Sequence, residues 1–373
     1  MRIAFFAPHK PIDHPQPSGD LIIGRTLHDF LKNQGHELLV ASDSRLRHIT
    51  CKPAQWPGLY LEFRRALKRV QEFKPDLWLT YHSYYKSPDL LGPHIAAKLG
   101  IPYVIYQGVF ATKYRRNFKT WAGYISNKHA LLHADHVFAN KDRDFRNLSR
   151  IIIPEKLSRT YVGIEPDKFQ YCAVSAEEIR NKHGLNGEKI ILSTAMLRED
   201  VKAQSISDLI RAFTPVTKEI TQTTLLIAGD GEARPRLEQL AAKQAGGKIL
   251  FLGRVERDEL YKYYSAADIF AYPGINEALG MVYLEAQCAG LPVVAYSTPG
   301  PKEAVDQGVT GLLSPEGDIA AMTTNLIKLL SNPSLCEKMG NAATERIKTH
   351  FNLTTNLKKV ENRLNKVSLW RYS

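Results

Sequence analysis

Cysteine is scarce and scattered. Cys51, Cys172, Cys288 and Cys336 make neither a CxxC pair nor a compact framework, which argues against structural zinc and a disulfide scaffold and favours a reducing compartment. Long hydrophobic runs are missing as well: no apolar stretch approaches the roughly 18 residues that span a bilayer. The opening MRIAFFAPHKPIDHP has only a short apolar run before Pro8, without the extended apolar region of a signal peptide. The expectation is a cytoplasmic protein that keeps its N-terminus, soluble or peripheral on the inner face of the membrane. Acid is in deficit, with 38 Asp and Glu against 50 Lys and Arg, and a net charge of +12 favours polyanionic partners such as nucleic acid, anionic lipid or phosphorylated substrates. Disorder is excluded by 44% hydrophobic and 24% charged residues.

What is present is an alternation of strands and helices. RIAFFAP reads as a strand, SGDLIIGRTLHDFLKNQG as a helix with Leu21, Ile22, Leu27, Phe30 and Leu31 on one side, and ELLVAS as the next strand. DLWLTY, DLLGPHIAAKLG and IPYVIY continue the pattern, which restarts at KIILSTAM and runs through TTLLIAGDG, KILFLG, DIFAYP and LPVVAY. Such alternation predicts parallel sheets flanked by helices, and 373 residues suit two domains. The fold class expected is α/β, with two doubly wound Rossmann-like domains. The boundary is expected near GIEPDKFQYCAVSAEE, giving domains 1–168 and 169–350, and the chain after about residue 333 reads as helix, with 351–373 as a closing helix.

Ligands of open α/β sheets bind at the carboxyl ends of strands, beside helix N-termini, and three such junctions carry suitable chemistry. PSGD (17–20) and AGDGE (228–232) offer glycine turns with free backbone amides, although an N-cap or an ordinary turn explains either. The third, GINEALGMVYLEAQCAG (274–290), sets Glu277 and Glu285 either side of Gly280. Amides from Ala278 to Val282 suit a diphosphate, and the two carboxylates lie within roughly 12 Å at helical rise. Carboxylates at the two ends of a diphosphate cradle accept hydrogen bonds from a sugar and a ribose.

The spacing Pro273, Glu277, Gly280, Glu285-Ala286, Gly290 to Val294, Glu303 and Gly311 closely resembles the signature block of the retaining glycosyltransferases of family 4, whose GT-B fold pairs two Rossmann domains. LLIAGDGEARPRLEQLA, ILFLGRVERDELYKYYSAADIFAYP, RTYVGIEPDKF and FLKNQGHELLVAS extend the resemblance over nearly the whole chain. It implies a metal-independent transfer of a sugar from a nucleoside diphosphate sugar to an acceptor hydroxyl with retention, using no cofactor beyond that co-substrate. It implies that the C-terminal helices cross back to the first, acceptor-binding domain, and that the second domain binds the donor. By the same resemblance Glu277 binds the transferred sugar, Glu285 the ribose, and Lys202 the leaving diphosphate. Leu279, Gly280, Met281 and Val282 offer backbone groups to sugar and phosphates, Val255 meets the base, and Gly19 faces the diphosphate. Two positions depart from the family pattern: Met196 stands where an arginine is usual, with Arg198 two residues on, and Gln107 stands where many members carry a histidine.

Asp20, His82 and Gln107 are candidates for the acceptor side, while His9, His14 and Asp20 make a poor metal set without a second cluster. The Asp142/Asp144 pair resembles the metal-binding pair of the other glycosyltransferase fold but reads as surface charge. TKYRRNFKTWAGYISNKHALLHADH mixes Arg115, Arg116, Lys119 and Lys128 with Phe118, Trp121 and Tyr124, a composition that suits either an anionic membrane surface with a lipid-linked acceptor or an ordinary packed helix. Nucleic acid is not an expected partner, since no recognised module is present. Three other readings stay open: an epimerase or a phosphorylase on the same fold, and a catalytically silent nucleotide-sugar binding protein.

Overall fold

A computed structural model describes residues 1–15, 19–244 and 248–369. Pro17 and Ser18 of the expected anion turn lie outside the described residues. The chain divides into two compact units, Met1–Val162 together with the chain from Thr354, and Gly163–Leu353.

The first unit holds β1 (Arg2–Phe6), β2 (Glu37–Ser42), β3 (Leu77–Ser83), β4 (Tyr103–Gly108), β5 (His136–Ala139) and β6 (Leu157–Arg159), in spatial order β2-β1-β3-β4-β5-β6. All its pairings are parallel. The second unit holds β7 (Lys189–Thr194), β8 (Thr223–Ala228), β9 (Lys248–Gly253), β10 (Ile269–Ala271), β11 (Val293–Tyr296) and β12 (Gly311–Ser314), in order β12-β11-β10-β7-β8-β9, again parallel. The doubly wound α/β organisation read from the sequence is therefore present twice. Every residue of the TTLLIA strand β8 is buried, as strands covered on both faces require.

In each unit the chain builds outward from its first strand and then returns to that strand's other side. The reversal falls between β1 and β3 in one sheet and between β7 and β10 in the other. Those crevices are where an open α/β sheet receives a ligand, and each collects the polar residues described below.

The last helix, Leu353–Leu369, belongs almost wholly to the first unit. It buries Leu357, Val360, Leu364 and Val367, and its Glu361 Oε1 lies 2.9 Å from His36 Nε2. Beneath it, His136 on β5 is 0% exposed, with Nε2 2.9 Å from Ser158 Oγ. Burial, then the charge of Arg363, pushes its pKa from 6.5 down to about 3. The unfolded chain thus takes up a proton that the folded chain refuses, so this contribution to stability is whole above pH 6.5 and is lost as pH falls toward 3. About 2 kcal/mol should disappear between pH 6.5 and 5. Thermal unfolding at pH 7 and pH 5 checks this: the parent should lose several degrees, and His136→Gln distinctly less.

Candidate active site

Around the β7/β10 reversal the second unit opens a cavity of about 530 Å³. Each neighbouring strand contributes through the residues that follow it: Ala195 and Met196 after β7, Gly229 and Asp230 after β8, Arg254 and Val255 after β9, and Tyr272 and Glu277 after β10. Gly280, Met281 and Val282 close it from the start of the helix Met281–Cys288. Asp200 caps the helix Val201–Glu219 by accepting the Lys202 amide at 2.8 Å, which sets the Lys202 side chain toward the same space. Lys202 Nζ donates to Glu277 Oε1 at 2.6 Å, and Tyr272 donates to the same oxygen at 3.5 Å. Burial, reinforced by the Glu277 charge, raises the Tyr272 phenol well above its ordinary range and keeps it protonated.

The loop before the helix depends on backbone that side chains resist. Gly274, Asn276 and Gly280 have φ of 70°, 56° and 79°, and a Cβ at Gly280 would stand 2.4 Å from the Tyr283 ring. The amides of Leu279, Gly280, Met281 and Val282 find no backbone acceptor among the described residues, as at any helix start. They give this side of the cavity a partial positive charge.

Not every expected donor residue reaches the cavity. Glu285 is only 5% exposed and does not line it. Tyr264 donates to Glu285 Oε2 at 3.0 Å and Arg257 to Oε1 at 3.1 Å. Burial raises the pKa of its carboxyl, and Arg257 and Tyr264 offset this in part. Arg198 is exposed, 3.9 Å from Asp200, and like Leu279 it lies outside the lining. Met196 lines the cavity and is 56% exposed, an unusual setting for a large apolar side chain. Tyr272, Tyr264 and Arg257 went unnoticed in the sequence. DIFAYP, YKYYSAA and VERDE contain them, but nothing in those strings distinguishes a buried phenol from any other.

In the first unit, the β1/β3 reversal carries a second polar cluster. Gly19 opens the helix Gly19–Asn33 and Asp20 follows it. Asp20 Oδ1 accepts from Tyr81 and Gln107 Nε2, each at 3.2 Å, and lies 2.6 Å from His82 Nδ1. Burial pushes the Asp20 carboxyl up, but hydrogen bonding and charge from His82 outweigh it, so its pKa is lowered overall. His82 and Gln107 end their strands at φ of 58° and 64°, the left-handed region that non-glycine residues occupy at a cost of about 1–3 kcal/mol. His9 joins them with its ring centroid 5.3 Å from that of His82; burial and then the His82 charge lower its pKa to about 4. Asp144 corrects the surface-charge reading of KDRDF. It is 6% exposed with its pKa raised by burial, whereas Asp142 is exposed and pairs with Arg159 at 2.9 Å.

Comparison with known proteins places this geometry in context. Residues 175–346 match the family "Glycosyl transferases group 1". An alpha-monoglucosyldiacylglycerol synthase of Streptococcus pneumoniae is 27% identical over 357 residues, covering 87% of this chain and 78% of the relative. A GDP-mannose-dependent alpha-(1-6)-phosphatidylinositol monomannoside mannosyltransferase of Mycolicibacterium smegmatis is 30% identical over 188 residues, 48% of each chain. Among solved structures, HepE of Anabaena in complex with UDP superposes with a TM-score of 0.73 at 17% identity, covering 98% of this chain and 100% of that one. Residues 175–346 thus carry the group 1 glycosyl transferase match, the curated relatives are glycosyltransferases, and the two Rossmann-like units have the GT-B fold.

Proposed function

We propose that the enzyme moves a sugar, with retention and without a metal, from a nucleoside diphosphate sugar held in the second unit to an acceptor hydroxyl held by the first. The observation that carries this is the Lys202–Glu277 contact of 2.6 Å inside the β7/β10 cavity, beside a row of open amides. A diphosphate draws the Lys202 ammonium away from Glu277, and the sugar hydroxyls take up the released carboxylate. As the anomeric C–O bond to phosphate breaks, negative charge grows on the leaving oxygen, where Lys202 and the amides of Gly280 to Val282 stabilise it. The acceptor oxygen bonds to the same face, and its proton passes to the departing phosphate. Val255 meets the base, and Leu279 and Met281 supply further backbone contacts to the donor. Glu285, oriented by Tyr264 and Arg257, turns toward the ribose only once the nucleotide is bound, and Arg198 swings in as a secondary phosphate contact. Asp20, His82 and Gln107 hold the acceptor. Incubation with a panel of UDP- and GDP-sugars, following released nucleotide and product anomer, tests this; an inverted product, or a requirement for orthophosphate, would overturn it.

The acceptor is a lipid-linked hydroxyl compound presented on an anionic membrane. The relatives named above include a glycolipid synthase, and the first unit carries a fitting surface. Phe118 is 93% exposed, and Trp121, Ile125 and Leu132 on the same helix are also exposed. Trp56, Tyr60 and Leu61 on the helix Trp56–Phe73 are exposed too. The two segments touch where Cys51 Sγ donates to the Lys119 carbonyl at 3.0 Å. Residues 49–69 and 112–133 contain ten Lys or Arg and one Glu, a net +9 of the chain's +12. Aromatics set among clustered cations suit the headgroup region. Sedimentation should show binding to vesicles with anionic lipid, weakened by salt and roughly tenfold weaker in Phe118→Ser/Trp121→Ser. Binding insensitive to salt and to both changes would remove this surface.

A further inference from the structure

A second cavity, of about 350 Å³, lies in the first unit between Phe138 and Ser158–Tyr161 on one side and the helix Leu353–Leu369 on the other. Arg159, Lys359, Arg363 and Lys366 line it, and no Asp or Glu does so among the described residues. The three helix cations stand at i, i+4 and i+7, one stripe roughly 10 Å long. Like charges at that spacing repel, so the stripe costs the helix stability unless an anion answers it. The only acid among residues 353–369 is Glu361, and it is turned away to His36 at 2.9 Å.

Two of the cations are held in place by protein. Arg363 donates to the Glu155 carbonyl at 3.0 Å. The Arg159 guanidinium lies 4.2 Å from the Tyr161 ring centroid and is paired with Asp142. Lys359 and Lys366 are exposed at either end, and Asn356, which donates to the Tyr161 carbonyl at 3.4 Å, fixes the helix against the strand. Lys359 and Lys366 differ from Lys202 of the β7/β10 cavity, whose ammonium has a carboxylate partner among the described residues.

We propose that this groove is a binding site for a phosphate-bearing ligand, a phosphomonoester or diphosphate group, separate from the donor cavity. Guanidinium groups fixed by protein contacts bind phosphate oxygens with little ordering cost, and the mobile lysines close on it as point charges. The site does not depend on the proposed transfer reaction, so its test is run where that reaction is disabled.

Inorganic pyrophosphate titrated calorimetrically into full-length Lys202→Ala protein should still bind saturably. Adding Lys359→Ala and Lys366→Ala, both exposed positions, should weaken it about tenfold or more while leaving thermal unfolding unchanged or slightly raised, as repulsion along the stripe is relieved. Pyrophosphate binding that vanishes with Lys202→Ala alone, or survives both lysine changes at equal affinity, overturns the proposal. The source of the phosphate is read from vesicles carrying phosphatidic acid. Retention lost with the two lysines identifies a lipid headgroup, and retention unchanged while pyrophosphate binding falls identifies a soluble phosphate.

Discussion

Lys202→Ala should lower turnover of the sugar donor by about a hundred- to a thousandfold, the effect of losing one preorganised group that meets charge developing on a leaving oxygen. Its partner loses most of its role at the same stroke. Because Lys202 and Glu277 share a 2.6 Å hydrogen bond, Glu277→Gln in the Lys202→Ala background should cost far less than in the parent, the non-additivity expected of directly coupled groups. Initial rates of nucleotide release for the parent, the two single variants and the double variant complete the cycle. Parent-like rates in either single variant would remove both residues from the chemistry.

Gly229→Ala should produce a large loss of stability from a single methyl group. Gly229 has φ of 143°, and a Cβ there would stand 1.8 Å from the Ala195 carbonyl oxygen, closer than any real contact. The neighbouring turn has no room to retreat: the Gly229 amide donates to Gly253 at 2.8 Å and the Ala195 amide to Ala228 at 3.1 Å. Backbone strain and overpacking together should cost about 3–5 kcal/mol. Because Ala195 and Gly229 both line the β7/β10 cavity, whatever protein remains folded should also bind nucleotide poorly. Denaturant unfolding with a parallel UDP titration checks both effects. A Gly35→Ala control, where φ is 84° but nothing lies within 4 Å of the added atom, should show the conformational cost alone.

Strands of this enzyme are readable because parallel sheets bury both faces, so TTLLIA, KIILST and LPVVAY stand out by the apolar runs LLIA, IIL and VVAY within them. The donor signature was readable for another reason: its glycines and acids are fixed by loop geometry and therefore by spacing. Side-chain burial within a helix has no such mark. On paper Glu285 reads as an open donor-site carboxylate and Asp144 as surface charge, yet Tyr264 and Arg257 cover the first, and the helix Asp142–Leu148 turns the second inward. The cluster on Asp20 was only partly visible, since what unites His82 and Gln107 is a backbone conformation at the ends of β3 and β4. Likewise TKYRRNFKTW announced a basic aromatic stretch, but its partner around Trp56 becomes adjacent only through tertiary packing.

The first unit is finished by residues that leave the ribosome long after its strands. A chain halted after Val162 would leave β5 and β6 without the leucines and valines of the final helix, so the N-terminal half must wait, partly unclothed, while nearly two hundred residues of the other unit are synthesised. Any nick or frameshift ahead of the helix Leu353–Leu369 should therefore injure the unit that was made first.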